Sequence, residues 1–287
     1  MGKDVSACAY AEPLFPRKGP FSDTRHTFCL AHGCLLPMPP LSEFLTFAAV
    51  GVLAQLVDGA LGMAYGVVSA AMLLGLGLPP AVASASVHYA ETFTCGASGL
   101  SHLAAGNVRR RLFWTLAIPG VIGAVIGAYV VSHVPATWMR LALTPYLLGM
   151  GLFLLLRGTR RKGGHDDSVP RATRPLGLIA GFADAVAGGG WSAVTVTTLV
   201  ARGAMPRTVI GTVHLAKCVV SAAASVSFLL HVGPTRGTAV LGLIAGGVVA
   251  APLGALFARH MPARAATLLA ATAVLGLGLN NVVKALH

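Results

Sequence analysis

Residues 112–133 read LFWTLAIPGVIGAVIGAYVVSH, without a single Asp, Glu, Lys or Arg. About 20 such residues let a helix cross a hydrocarbon core of roughly 30 Å. Lipid offers the backbone no hydrogen-bond partner, so a run of this kind must satisfy its own N–H and C=O groups as a helix. Comparable blocks occur at 141–156 and 238–258. Composition agrees, with 55% hydrophobic and only 10% charged residues, where soluble domains carry about a quarter charged. The chain reads as an all-α polytopic membrane protein.

The formal net charge is +12. Most of the Lys and Arg fall in short loops between apolar blocks, where they set orientation. No basic stripe with interleaved aromatics is present, so no nucleic-acid partner is expected. Cys95 and Cys218 lie in apolar blocks and read as small buried residues. His26, Cys29, His32 and Cys34 form a loose cluster whose spacing fits no closed zinc pattern, so neither metal nor cofactor is expected. HExxH, GxSxG and P-loop sequences are absent, which argues against an enzyme and against ATP hydrolysis by the chain itself.

The chain repeats itself. Asp58 matches Asp184 at an offset of 126 residues (184 − 58), and the same shift pairs Gly62 with Gly188, Tyr65 with Trp191, Pro80 with Pro206 and His88 with His214. Four segments are expected: a disordered polar extension over 1–40, a transmembrane repeat over 41–157, a basic cytoplasmic linker over 158–174 and a second repeat over 175–287. Met38 would serve as a natural start as well as Met1. Repeated halves of this kind point to a transporter. GNVRRR (106–111), the linker, RGAMPR (202–207) and RHMPAR (259–264) are the cytoplasmic candidates, whereas VGPTRG (232–237) is poorer in charge and reads as external. On that assignment the halves are inverted, each with a glycine-broken first element followed by three transmembrane helices.

The breaks fall at DGALGMAYG (58–66) and DAVAGGGWS (184–192). Residues 42–78 are too long for one span, so the segment turns back, as two spans or as a re-entrant pair of half-helices. Irregular backbone at membrane depth is tolerated only where protein buries it or a cavity needs it. A helix restarting after glycines presents N–H groups that favour an anion. Gly188, Gly189, Gly190 and Trp191, with Gly62, Tyr65 and Gly66 opposite, are therefore the candidate anion site. Asp58 and Asp184 read as helix caps or coupling groups. His88 with Glu91, and His214 with Lys217, are three residues apart and share helix faces. Glu91 and Lys217 are themselves repeat-mates (217 − 91 = 126), so either they pair inside the membrane or Lys217 serves as counter-charge to the anion.

The D-x-x-x-G-x-x-[YW] break in both halves, LGLPP (76–80), SVHYAE (86–91) and GNVRRRLF (106–113) together resemble the sulfite exporter TauE/SafE family of bacterial membrane transporters. The resemblance implies a multi-pass carrier of the bacterial inner (plasma) membrane for small sulfur-containing or organic anions, such as sulfite and sulfonates. The first break reads GMAYG where many members have a glycine run, and only the second keeps GGG. The expectation is a secondary transporter, most simply an exporter of sulfite or organosulfonates, with an anion channel or a carboxylate carrier as the alternatives. Its partners would be a small anionic substrate and the bilayer, with a homo-oligomer left open.

Overall fold

The computed structural model describes residues 41–61, 64–157, 173–202, 204–235 and 237–260, with 268, 271–272, 274–276 and 279 beyond them. The extension 1–40, most of the linker 158–174 and Gly62 lie outside the described residues. The delimited elements are α1 (Leu41–Leu61), α2 (Tyr65–Gly75), α3 (Pro80–Ala104), α4 (Arg110–His133), α5 (Ala136–Arg157), α6 (Thr173–Ala187), α7 (Trp191–Ala201), α8 (Pro206–His231) and α9 (Gly237–His260). Pro80 and Pro206 open α3 and α8, where a missing N–H costs nothing and the fixed φ already suits a helix. By length and composition, α4 and Thr208–His231 of α8 are long and apolar enough to cross a membrane. On α4, Trp114, Ile118, Ile122 and Ile126 form an exposed stripe at four-residue spacing, the face expected to meet lipid.

Close contacts give the helix directions. Along α3 and α8, a Cβ on Gly99 would strike Leu215 and one on Gly96 would touch Cys218. Further back on α3, Thr92 meets Ser225 at 3.4 Å and His88 faces Phe228. Going backward on α3 is going forward on α8, so the two are antiparallel. Along α4 and α6, Gly177 packs on Leu116, Gly181 on Gly120, Gly123 on Phe182 and Gly127 on Ala185. These numbers rise together, so α4 and α6 are parallel. The same holds for α1 and α9, where Gly242 lies against Phe44 and Gly51 against Gly247.

These directions fix where each break lies. The Arg109 N–H donates to Thr212 Oγ1 at 2.9 Å, so α4 and α8 begin on one side. Their far ends meet through His133 and His231, whose rings lie 5.2 Å apart. Because α6 runs with α4, and α7 leads within a few residues into α8, the α6–α7 pair enters and leaves on the side where α4 begins. At 1.5 Å per residue, the 11 residues of α7 reach about 16 Å, half the hydrocarbon core. The pair therefore turns back partway along α4, with Gly188–Gly190 at its tip. The α1–α2 pair enters from the opposite side, since α9 starts where α8 ends and Arg140 of α5 donates to the Gly77 and Leu78 carbonyls beyond α2.

Small residues carry the helix contacts, because lipid tails provide no hydrophobic drive between helices and close approach must supply the attraction. A Cβ on Gly181 would overlap the Gly120 carbonyl, and one on Gly246 the Ala48 carbonyl. Gly181→Val and Gly246→Val are expected to cost about 1–3 kcal/mol each through overpacking. Gly149 is exposed with open space around its Cβ position, and Gly149→Ala should gain up to about 1 kcal/mol of helix propensity. Melting temperatures of the detergent-solubilised variants test this; equal values for all three would contradict the packing described.

Candidate substrate and coupling site

The tips of the two helix pairs interlock. Gly188 and Gly190 adopt φ of 73° and 132°, a region open to glycine and rarely to other residues. A Cβ on Gly189 would fall on the backbone of Gly66 and Val67, and one on Gly66 would lie 3.0 Å from Gly189 Cα and 2.5 Å from Glu91 Oε1. Backbone therefore meets backbone where the two pairs touch, and the Tyr146 hydroxyl of α5 donates to the Gly189 carbonyl at 2.8 Å.

Each half-helix that restarts after a break has an aspartate at its N-terminus. Asp58 Oδ1 accepts from the N–H groups of Ala64 (2.7 Å) and Tyr65 (3.0 Å). Asp184 Oδ1 accepts from the Trp191 N–H at 2.9 Å. Neither aspartate occupies the residue adjoining its helix; each reaches back across the break from the end of the preceding helix. The anion at these positive helix ends is thus the protein's own carboxylate. The aromatic residues that follow are buried anchors. Tyr65 donates to the Leu243 carbonyl of α9 at 3.1 Å, and Trp191 Nε1 donates to the Val213 carbonyl of α8 at 3.3 Å.

Directly behind the break lies a sealed charge cluster. Lys217 Nζ of α8 is 2.6 Å from both Asp184 carboxylate oxygens and 2.9 Å from Glu91 Oε2 of α3. Ser221, one turn after Lys217, donates to Glu91 Oε2 at 3.4 Å. Lys217, Glu91, Asp184 and His88 are each no more than 2% exposed. Ligand atoms of His88, Glu91 and Asp184 lie within 4.8 Å of one another, a spacing that suits a shared cation. The Lys217 ammonium supplies that charge.

The hydrogen-bond roles at His88 depend on its tautomer. His88 Nδ1 faces the Ser84 carbonyl at 2.8 Å, and Nε2 faces Asp184 Oδ2 at 3.2 Å. A carbonyl and an ionised carboxylate only accept. Both contacts are hydrogen bonds only if the His88–Asp184 pair holds one proton beyond the neutral ring.

Among the expected site residues, the structure brings together Gly66, Gly188, Gly189, Gly190, His88, Glu91, Asp184 and Lys217, with Tyr65 and Trp191 at the starts of α2 and α7. His214 stands apart: its Nδ1 lies 2.8 Å from Ser98 Oγ and its ring meets His102 edge-on. Gly62 is outside the described residues. Ser84, Ser221 and Tyr146 were not anticipated. The two serines are signalled by four-residue spacing to His88 and Lys217, one helical turn; nothing in the sequence marks Tyr146.

Removing one member of a buried ion pair strands the other, at about 3–5 kcal/mol. Asp184→Ala and Lys217→Met should each lower stability by that order, and the double variant by clearly less than their sum. Asp58→Ala should cost only about 1 kcal/mol, as the loss of a cap. A double-mutant cycle on denaturant unfolding in micelles measures this; strict additivity of Asp184 and Lys217 would break the assignment.

The chain matches the family model "Sulfite exporter TauE/SafE" over residues 47–281. It is 43% identical over 223 residues to "Probable membrane transporter protein YtnM" of Bacillus subtilis (strain 168), covering 75% of this chain and 74% of that protein. It is 28% identical over 116 residues to "Sulfite exporter TauE/SafE family protein 3" of Arabidopsis thaliana, covering 40% of this chain and 24% of that protein. No solved structure matches it.

Proposed function

The chain belongs to the sulfite exporter TauE/SafE family and is a membrane transporter rather than an enzyme, and from that premise we propose that it is a secondary carrier exporting small anions, sulfite or organosulfonates, across the plasma membrane. The observation that carries this reading is the Lys217 ammonium, buried between two carboxylates and directly behind the meeting point of the two breaks. A fixed cation there is the counter-charge that a desolvated anion requires.

Two halves related by an in-plane two-fold axis fit this reading. Counterpart helices run in opposite directions, α3 packs against its own counterpart α8, and α1 and α6 each pack against the fourth-helix counterpart of the other half, α9 and α4. Such exchange lets one half rock against the other around a central site. Here the interlocked glycines close that site, so the conformation is occluded.

In the proposed cycle the anion displaces Glu91 from Lys217, and a proton taken up by Glu91 offsets one of the anion's negative charges as it does so. Asp184 stays on the Trp191 N–H and on Lys217, holding the ammonium in place. Export has an electrical drive wherever the anion carries more charge than the proton that accompanies it. A potential of 100 mV, negative inside, gives about 2.3 kcal/mol per net charge, which is the drive for a divalent anion leaving with one proton.

Radiolabelled sulfite flux in proteoliposomes under an imposed voltage tests the reading. Wild-type flux should saturate with sulfite, and Lys217→Gln combined with Glu91→Gln, which preserves neutrality, should fold yet lose at least tenfold in flux. Full flux in that double variant would remove Lys217 from the substrate path. Glu91→Gln alone should retain flux but lose its response to a pH gradient; an unchanged response would remove Glu91 as the proton carrier.

A further inference from the structure

At the end of the bundle opposite Arg109–Arg111, the last turns of α4 and α8 bring His133 and His231 together. Both are exposed, their ring centroids lie 5.2 Å apart, and the planes are inclined at 77°. Tyr129 completes the group, 4.1 Å from the His133 ring and 5.3 Å from that of His231. We propose that His133 and His231 form an external binding site for a divalent transition-metal ion that clamps α4 of the first half to α8 of the second.

Three features carry the proposal. His133 Nδ1 lies 2.8 Å from the Tyr129 carbonyl, which can only accept, so the proton sits on Nδ1 and the Nε2 lone pair is left for a ligand bond. Fixing a ligand's tautomer through a backbone carbonyl is the usual outer-shell arrangement of metal-binding histidines. The spacing fits as well. Metal–nitrogen bonds of about 2.0–2.1 Å in a tetrahedral site place two imidazole centroids about 5 Å apart. Finally, both histidines stand at helix C-termini, whose partial negative charge favours a cation. Imidazole pairs suit zinc, nickel or copper rather than calcium or magnesium, and water fills the remaining positions.

The consequence for transport rests on the carrier reading, whereas metal binding does not. A metal bridging α4 and α8 ties the two halves together at one end and should hold the carrier in one state. Neither histidine touches the buried cluster, so His133→Ala and His231→Ala should transport like the unsubstituted chain.

Calorimetry with zinc on the full chain in detergent is the first measurement. Binding to the His and Cys residues near the N-terminus would be common to every variant, so the difference between variants reads the proposed site. Zinc should raise the melting temperature of the unsubstituted chain. His133→Ala and His231→Ala should each weaken the assigned site at least tenfold and remove that rise. External zinc should also inhibit anion flux with the same midpoint, and either substitution should relieve it. Identical zinc binding in the unsubstituted chain and the double variant would overturn the site. A zinc-bound protein with an unchanged melting temperature would overturn the clamp, even if no transported anion had been found.

Discussion

One ammonium group ties the centre of this protein together. Lys217 belongs to α8, Asp184 to the end of α6 and Glu91 to the middle of α3, so a single cation joins three helices and, through Asp184, the start of α7. Each charge alone would be costly at this depth. Together every member has a partner: both carboxylates meet Lys217, and His88 meets Asp184. Such a cluster is poor material for stability, since apolar residues of similar volume often do as well or better. Its value lies in what it permits. In the proposed cycle, the cluster can exchange Glu91 for an arriving anion while Asp184 keeps its hold on Lys217.

The position of the cluster follows from the proposed two-fold relation. Residues far from such an axis never meet their own counterparts, but residues on it must. Thr92 and Cys218, repeat-mates at the same offset of 126 (218 − 92), touch through the Thr92 carbonyl, and Glu91 and Lys217 pair one residue before them. Had both positions kept the same charge, the axis would carry two like charges face to face. The exchange of Glu for Lys between halves turns that repulsion into an ion pair. Under the proposed two-fold relation, asymmetry of the sequence at this place relieves what backbone symmetry would otherwise impose.

This explains what was legible in advance. Helical membrane character follows from uncharged runs such as 112–133, and the offset that matched Asp58 to Asp184 also relates α2 to α7, which begin at Tyr65 and Trp191 and end at Gly75 and Ala201. The charge swap at 91 and 217 was visible because a repeat makes substitutions between halves readable. His214 lies apart from the cluster because matching sequence positions need not have matching surroundings. His88 lies beside the Asp184 break, whereas His214 lies further along the α3–α8 seam, against Ser98 and His102. Tyr146 was invisible for a different reason. Its partner is a carbonyl on a distant helix pair, and an isolated tyrosine in an apolar run carries no periodic signal of that contact.

On the proposed reading the break has two duties that compete. Glycine was expected to bare N–H groups for an external anion, yet in this conformation the Trp191 N–H serves Asp184, and Gly189 is pressed on the backbone of Gly66 and Val67. A contact built of backbone, without interdigitated side chains, can part with little repacking. Its separation would expose Glu91 Oε1, which lies next to Gly66, and with it the ammonium that Glu91 neutralises. Asp184 is held more firmly, by a helix N-terminus, by both of its oxygens on Lys217 and by His88. Glu91 is the partner with fewer bonds. An arriving anion that takes one carboxylate's place on Lys217 should therefore displace Glu91, while Asp184 keeps the half-helix capped throughout the exchange.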